Sequence, residues 1–269
     1  MSNLTMQYCE VGNGGDSCMY LTRANNALIE RCSFHDAGAR NAATYHPNII
    51  YCGRISDSTF RYNRLYNIAV EGLFFGDPGN TNIAIYGNLF YQGSIARDTG
   101  RAIQFDDAST GNTGILVYNN TIAGLPLGVR LGGPAIFSGS AFQNNIVYGC
   151  SLAITSGWTS DYNLYSGTTS EPRSIGSGSN PFLNLLGYDY HLISNVGSTY
   201  PRNKGLALGS PYNVDMDGVT RGWDGAWDMG AYEYGSTAPI PDPTPTPAPT
   251  PNPTPTATPT PRGLDWQQS

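Results

Sequence analysis

The stretch Ile85-Tyr86-Gly87-Asn88-Leu89-Phe90 recurs as Val117-Tyr118-Asn119-Asn120-Thr121-Ile122 and again as Phe142-Gln143-Asn144-Asn145-Ile146-Val147. Each copy has an apolar residue at its first position, an asparagine at its fourth and an apolar residue at its last. Short alternating segments of this kind are typical of β-strands that are joined by a sharp turn. The chain is therefore predicted to be a β-protein built from internal repeats.

Further copies at residues 6–11, 29–34, 55–60 and 160–165 bring the number of repeats to seven. A second strand follows each repeat, for example Ile103-Gln104-Phe105. Successive repeats lie between 18 and 32 residues apart, a spacing too irregular for a propeller or an α-solenoid. It is typical of a parallel β-helix, whose coils keep their strands and vary their loops. We predict an all-β solenoid of about seven coils with an irregular C-terminal cap.

One residue of each repeat is predicted to lie in an internal column. Asparagine tolerates the left-handed αL conformation of a sharp corner, and its side-chain amide both donates and accepts hydrogen bonds. Asparagines stacked on successive coils can therefore exchange amide hydrogen bonds along the axis, with small residues completing the column. The aligned repeats assign to this column Cys9, Cys32, Ser58, Asn88, Asn120, Asn145 and Asn163.

The composition disfavours several classes of protein. Only 13% of the residues are charged and 33 are glycine, which argues against a helical protein. The net charge of −6 argues against a nucleic-acid partner, and no apolar stretch is long enough for membrane insertion. The five cysteines include no CxxC pair, which favours small buried residues over a zinc site.

Composition divides the chain into four regions. Residues 1–179 carry the coils, residues 180–236 form a closing segment, residues 237–262 are rich in proline and threonine, and residues 263–269 begin a further module or a tail. The third region cannot form a core and is predicted to be a disordered linker in extended polyproline II. Linkers of this kind are typical of exported proteins, so we expect an extracellular or cell-surface location and further domains in a longer chain.

The first coil begins within a few residues of Met1, and nothing precedes it that could cover its open edge. An uncovered β-helix end exposes unpaired backbone groups, and repeat arrays need a cap at each end. We therefore expect either that the natural domain begins earlier or that another chain covers this coil.

The repeats of residues 1–170 resemble those of the pectin-lyase-like right-handed β-helix superfamily. The closing segment is similar to the one that ends many secreted bacterial β-helix proteins, with Asp215-Met216-Asp217-Gly218-Val219-Thr220-Arg221 followed by Asp228-Met229-Gly230-Ala231-Tyr232-Glu233. The resemblance implies right-handed coils, a groove along the second strand column and an extended polysaccharide as the partner.

The groove predicted by this resemblance contains candidate residues for two reactions. Paired carboxylates suit glycoside hydrolysis, and Asp106-Asp107 resembles the paired aspartates of polygalacturonases, although the neighbouring Asn-Thr-Asp, Gly-His-Gly and Arg-Ile-Lys motifs are missing. A lyase needs a base beside a uronate, and Lys204, the single lysine, lies outside the groove, which leaves Arg130. The candidate catalytic residues are Glu71, Asp106, Asp107 and Arg130, and the candidate substrate-binding residues are Gln104 and His46.

Alternatives to an enzyme stay open at this point. Asp77, Asp106 and Asp107 are candidate Ca²⁺ ligands because carboxylate oxygens suit that cation. The same residues are also compatible with a solvated coil face on a non-catalytic adhesive or structural surface protein. The neighbours His35 and Asp36 are a candidate acid–base pair, but loop residues of this kind are more often only solvated.

The charged residues of the closing segment are predicted to be structural. Its Asp-x-Asp-Gly sequence lacks the rest of an EF-hand loop, so no metal is assigned there. We expect Arg221 to pair with carboxylates and to fix the closing segment on the last coil. The residues assigned to this structural cap are Asp215, Asp217, Arg221 and Asp228.

Overall fold

The computed structural model describes residues 2–38, 47–93, 99–106, 111–131, 137–154 and 158–235. These residues form short β-strands and one 3₁₀ helix, Leu185–Gly187. The strands, in chain order, are β1 (Thr5–Gln7), β2 (Glu10–Gly12), β3 (Met19–Thr22), β4 (Leu28–Glu30), β5 (Ser33–His35), β6 (Asn48–Gly53), β7 (Ser56–Arg61), β8 (Arg64–Tyr66), β9 (Glu71–Phe75), β10 (Thr81–Tyr86), β11 (Leu89–Tyr91), β12 (Arg101–Phe105), β13 (Thr113–Tyr118), β14 (Thr121–Ala123), β15 (Gly128–Leu131), β16 (Ser140–Gln143), β17 (Ile146–Tyr148), β18 (Leu152–Ile154), β19 (Trp158–Asp161), β20 (Leu164–Ser166), β21 (Ile175–Ser177), β22 (Phe182–Asn184) and β23 (Asp189–Leu192).

Three parallel sheets run the length of the molecule. Sheet A has the order β1-β4-β7-β10-β13-β16-β19, sheet B has β2-β5-β8-β11-β14-β17-β20-β21, and sheet C has β18-β15-β12-β9-β6-β3. Through the first six coils the chain adds one strand to each sheet in turn, so each strand pairs with the equivalent strand of the coils before and after it. The predicted parallel β-helix is confirmed.

Inward-facing apolar side chains stack in rows that follow the pairing register. Phe60, Ile85 and Val117 are in register on β7, β10 and β13 and are at most 1% exposed. On sheet C the rings of Phe75 and Phe105 stack with their centroids 4.3 Å apart. Each fully buried side chain of this size contributes roughly 1.5–3 kcal/mol through the hydrophobic effect. The core is therefore a continuous column of coil-on-coil contacts.

A column of buried asparagines runs beside this core at the corner between sheets A and B. The amide nitrogen of each asparagine donates to the side-chain oxygen of the next: Asn63 to Asn88, Asn88 to Asn120 and Asn120 to Asn145, each at 3.0 Å, and Asn145 to Asn163 at 3.2 Å. Each amide nitrogen also donates to a strand carbonyl, as Asn120 does to Ile85. These asparagines are at most 1% exposed.

The start of the column differs from the sequence alignment. Ser58 lies within β7 and pairs with Ile83 of β10, so it is not a member of the column. Asn63 takes that place, and its side-chain oxygen accepts from the backbone N–H of Cys32 at 3.0 Å. The sequence alignment was shifted because β7 is longer than the equivalent strand β4. An alignment that starts at the first residue of each strand places Ser58 at the corner, which β7 reaches only later.

The backbone at this corner also differs from the expectation. Positive φ angles belong to the residue before each column residue, as at Tyr62 (57°), Gly87 (64°), Asn119 (53°) and Asn144 (58°), and not to the buried asparagine itself. The column asparagines are therefore selected for their amide groups. Glycine and asparagine at three of these four corner positions relieve the cost of the αL conformation.

The closing segment lies along the side of the coils as well as beside Arg173, Ser174 and Ile175 of the last one. The Gly230 N–H donates to the Asn144 carbonyl at 2.7 Å, and the Ala231 N–H donates to the Thr121 hydroxyl at 2.9 Å. Nearer the first coil, Arg31 donates to the Met216 carbonyl at 3.2 Å. The segment thus contacts coils far from the last one.

A short loop centred on Glu171 covers the end of the asparagine column. The Glu171 carboxylate accepts from the hydroxyls of Ser160 at 2.7 Å, Tyr165 at 2.8 Å and Ser174 at 2.9 Å. It also accepts from the Asn163 amide at 3.4 Å. The last asparagine amide thus has an acceptor.

Arg221 is the centre of a buried network that holds the closing segment together. Its guanidinium donates to the Glu233 carboxylate at 3.1 Å and to the Gly230 carbonyl at 2.9 Å, and both charged side chains are fully buried. Asp215 accepts from the Val219 and Glu233 N–H groups, and Asp228 accepts from those of Asn203 and Tyr234. The carboxylate paired with Arg221 is therefore Glu233, which the sequence analysis did not assign to the cap, whereas Asp215 and Asp228 bind backbone N–H groups and Asp217 pairs with His191.

Replacing Asn120 by leucine tests the column. The change removes the side-chain donor to the Ile85 carbonyl and to the Asn145 oxygen, and it leaves the buried Asn88 backbone N–H without its acceptor, so we expect a loss of about 1–3 kcal/mol in the free energy of unfolding. Asn195→Leu, at an exposed asparagine, should change it by less than about 0.5 kcal/mol. Urea denaturation gives both values, and equal effects would contradict the column's role.

Replacing Arg221 by methionine tests the network. The Glu233 carboxylate would stay buried without its cation, so we expect a loss of roughly 3–5 kcal/mol in the free energy of unfolding, with early proteolysis between residues 180 and 235. Arg54→Met at an exposed position is the matched control. Similar denaturation curves and cleavage rates for the two variants would show that the network is not what holds the segment.

Candidate functional site

One row of side chains follows the register across sheet C. Tyr20 pairs with Tyr51, Tyr51 with Phe74, Phe74 with Gln104, and Gln104 with Arg130. These positions alternate with the inward-facing residues of their strands, so they belong to the outer face. With adjacent strands ~4.8 Å apart, the row extends for about 20 Å. It has an aromatic half, in which Tyr20 is 57% exposed, and a polar half, in which Gln104 is only 7% exposed.

Tyr51 lies at the centre of the aromatic half. Its ring centroid is 5.5 Å from that of Tyr20 and 5.7 Å from that of Phe74. A Cβ atom at Gly76 would lie 2.8 Å from the Tyr51 hydroxyl oxygen, so a side chain there would displace the ring. Burial raises the pKa of Tyr51, and the nearby Asp77 carboxylate raises it further. The ring is held over the backbone of the neighbouring coil.

Two carboxylates stand at the carboxyl ends of neighbouring strands in sheet C. Asp77 follows β9 after one glycine, and Asp106 follows β12 directly, with its N–H donating to the Phe75 carbonyl at 3.1 Å. The charges of both aspartates raise the pKa of Tyr51. They place negative charge along one edge of the row.

Glu71 lies at the opposite end of its strand. It pairs in register with Arg101, not with Gln104, and is 3% exposed. Its Oε1 accepts from the Arg101 guanidinium at 3.4 Å, and its Oε2 has no hydrogen-bond partner among the described residues. Burial raises its pKa to about 7, an effect that Arg101 opposes and Asp106 reinforces. Glu71 is a buried carboxyl paired with Arg101 rather than an open groove residue.

The structure therefore brings together part of the predicted site. Gln104 and Arg130 are neighbours, and Asp106 lies two residues beyond Gln104 on the same side of the strand. Glu71 is not beside them, because it pairs in register with Arg101 at the opposite end of the strand. Asp107 and His46 lie outside the described residues, so the Asp106-Asp107 pair and the substrate-binding role of His46 stay predictions.

Sequence reasoning missed the aromatic half of the row. Tyr20, Tyr51 and Phe74 each lie between residues that face the interior, and that alternation was the available signal. The candidate residues were chosen for charged and polar groups, so these rings were not among them.

One group of three carboxylates in the described ranges has oxygen atoms close enough to share a cation: Asp224, Asp228 and Glu233. All three already have partners. Asp224 is paired with Arg202 at 2.6 Å, Glu233 with Arg221, and Asp228 accepts two backbone N–H groups. The pKa of Asp228 is raised to about 7 by burial and by the charge of Glu233. These contacts describe a structural network.

Comparison with known families identifies the repeats. The family described as the right handed beta helix region matches residues 1–152. The chain belongs to the right-handed β-helix family. A search of curated proteins gives no match. Among the described residues, no α-helix has the length and hydrophobicity needed to cross a membrane.

Two substitutions beside Glu71 should shift its pKa in opposite directions. Asp106→Asn removes a repelling charge and should lower the Glu71 pKa, whereas Arg101→Gln removes an attracting charge and should raise it. Carboxyl ¹³C NMR titration of Glu71 measures both changes. A shift in the same direction for both variants would contradict this electrostatic arrangement.

The pH dependence of stability follows from the same carboxyl. Its folded-state pKa of about 7 lies above the ordinary 4.5, so the folded protein holds the proton more tightly and the contribution of Glu71 to stability falls as the pH rises between these values. Glu71→Gln should therefore gain stability relative to the unaltered protein as the pH rises through this range. Urea denaturation at several pH values checks this, and a parallel pH dependence for the two proteins would contradict it.

Proposed function

We propose that the chain is an extracellular or cell-surface module that binds polysaccharide along the outer face of sheet C. The observation that carries this proposal is the row from Tyr20 through Tyr51, Phe74 and Gln104 to Arg130. An extended polymer can lie across successive parallel strands, so that a regular row of side chains meets it repeatedly. The proposal also draws on the resemblance to pectin-lyase-like proteins.

The chemistry of the row suits a sugar chain. Aromatic rings contact the apolar faces of sugar rings, while amide and guanidinium groups bind hydroxyl and carboxylate oxygens. Arg130, at the polar end, favours a polymer that bears carboxylates, because a guanidinium binds a carboxylate through two hydrogen bonds. Uronate-containing polysaccharides are therefore the class we expect to bind best.

Cleavage of the bound chain is a second candidate function, favoured by the carboxylates at the edge of the row. Asp106 and Asp77 would supply acidic groups for a hydrolase or bind a cation for a lyase, with Arg130 beside the uronate. The alternative is a module that only adheres to polysaccharide or serves as a structural part of the surface. Binding and cleavage are separable by experiment.

The test is affinity electrophoresis of the full chain in gels that contain polygalacturonate, alginate, xylan or no polysaccharide. We expect retardation by at least one uronate polymer. Tyr51→Ala should weaken binding about tenfold, since a well-packed ring contributes on the order of 1 kcal/mol. Thr59→Ala on the outer face of sheet A is the control and should bind normally. Equal mobility in all gels, or no effect of Tyr51→Ala, would refute the proposal.

The same polymers decide between cleavage and adhesion. Release of unsaturated uronate ends, followed by ultraviolet absorbance, identifies a lyase, and new reducing ends without that absorbance identify a hydrolase. Binding without either product supports the adhesive alternative. Asp106→Asn should abolish any activity found while leaving binding by Tyr51 intact.

A further inference from the structure

A concave site lies on another flank of the molecule, between sheet B and the closing segment. Its volume is about 440 Å³, within the range of small-molecule sites. One wall comes from β8 and β11 of sheet B, and the other comes from residues 183–191 of the closing segment. It shares no residue with the row on sheet C.

Four of the ten residues that line this pocket are tyrosines. The ring of Tyr91 is 5.6 Å from that of Tyr188 and 5.3 Å from that of Tyr190, centroid to centroid. Tyr188 is 41% exposed and reaches the rim through an αL backbone, with φ of 61°. Tyr232 lies deeper, 3% exposed and beside Arg64, with its ring 4.1 Å from that of His191.

Charged groups complete the lining, and one of them faces the opening. His191 lies between Asp189 and Asp217, with its Nε2 at 2.8 Å from the Asp217 carboxylate. Both contacts of His191 to Asp189 go to Oδ1, and the Asp189 side chain is 37% exposed. The second carboxylate oxygen of Asp189 is therefore open to a ligand that donates hydrogen bonds. Arg64, across the pocket, supplies donors.

From this arrangement we infer that the pocket binds a single sugar ring carrying free hydroxyl groups. Such a ring has an apolar face, which the tyrosine wall accommodates, and a rim of hydroxyls that both donate and accept. The Asp189 oxygen accepts from one hydroxyl while Arg64 donates to another. Positive and negative side chains are mixed in the lining, so the site suits a neutral ring better than a strongly charged ligand.

The inference shares its ligand class with the proposed function but uses a separate surface. A chain end or branch sugar in the pocket does not require a polymer on sheet C. The two sites are also chemically distinct, because the row on sheet C ends in Arg130 and selects carboxylates, whereas the pocket selects hydroxyls. Each proposal can therefore fail without the other.

The test is titration calorimetry of the full chain with neutral monosaccharides and short oligosaccharides: glucose, galactose, mannose, xylose, rhamnose and their dimers. We expect at least one to bind. Tyr188→Asn should weaken that binding about tenfold, because asparagine keeps the αL backbone while removing the ring. Leu186→Ala, in the 3₁₀ helix that precedes Tyr188 but outside the pocket and 91% exposed, is the matched control and should bind normally.

Two further variants separate the sites. Tyr51→Ala should leave binding of the neutral sugar unchanged, and Tyr188→Asn should leave retardation by a uronate polymer unchanged. Thermal unfolding verifies that each variant is folded, and if Tyr188→Asn were unfolded, Leu183→Asp at the 63% exposed rim would replace it. Failure of all these sugars to bind, or equal binding by the protein and its pocket variant, would overturn the inference.

Discussion

Bonds between the buried corners of successive coils help to hold the coils in register, and from Asn63 onward the asparagine column provides them. Within the column each amide nitrogen donates twice, to the following asparagine and to a strand carbonyl, while its oxygen accepts from the preceding coil. A one-residue slip would remove these partners in an interior where water cannot replace them. The register then fixes which side chains share a row on every face. The row on sheet C therefore depends on bonds made at another corner of the coil.

The closing segment shows how an irregular region can be fixed on the side of a solenoid. Burying Arg221, Glu233, Asp215 and Asp228 carries a large desolvation cost, which their mutual pairing and their backbone hydrogen bonds offset. A network of this kind has few alternative arrangements, because every missing partner is costly. It specifies a single path for the segment along the flank. The tyrosine pocket exists because that path leaves a gap over sheet B.

The fold was predictable because repetition makes one local signal visible seven times. Strand alternation and the recurring asparagine are both sequence-local, and they identified the coils and four of the five column asparagines. The alignment placed Ser58 in the column where the structure has Asn63. This error shows the limit of sequence alignment, since a longer strand shifts the alignment without changing its pattern. The partner of Arg221 required three-dimensional information because Glu233 is one of several nearby carboxylates. The aromatic row could have been predicted from the alternation of inward-facing and outward-facing residues along each strand. The position of Glu71 away from Gln104 could not, because it depends on the pairing register of neighbouring strands.

The asparagine column has a direction. Every member presents an acceptor to the coil before it and donors to the coil after it, so the series begins at an oxygen that receives the Cys32 N–H and finishes at nitrogen donors that meet Glu171. An interior coil that carries one such asparagine fits between any two others, since its two sides match both neighbours. Gain or loss of whole coils would thus leave the chemistry of both ends unchanged. The length of this protein can vary in evolution by units of one coil, while the terminating carboxylate has to remain next to whichever asparagine comes last.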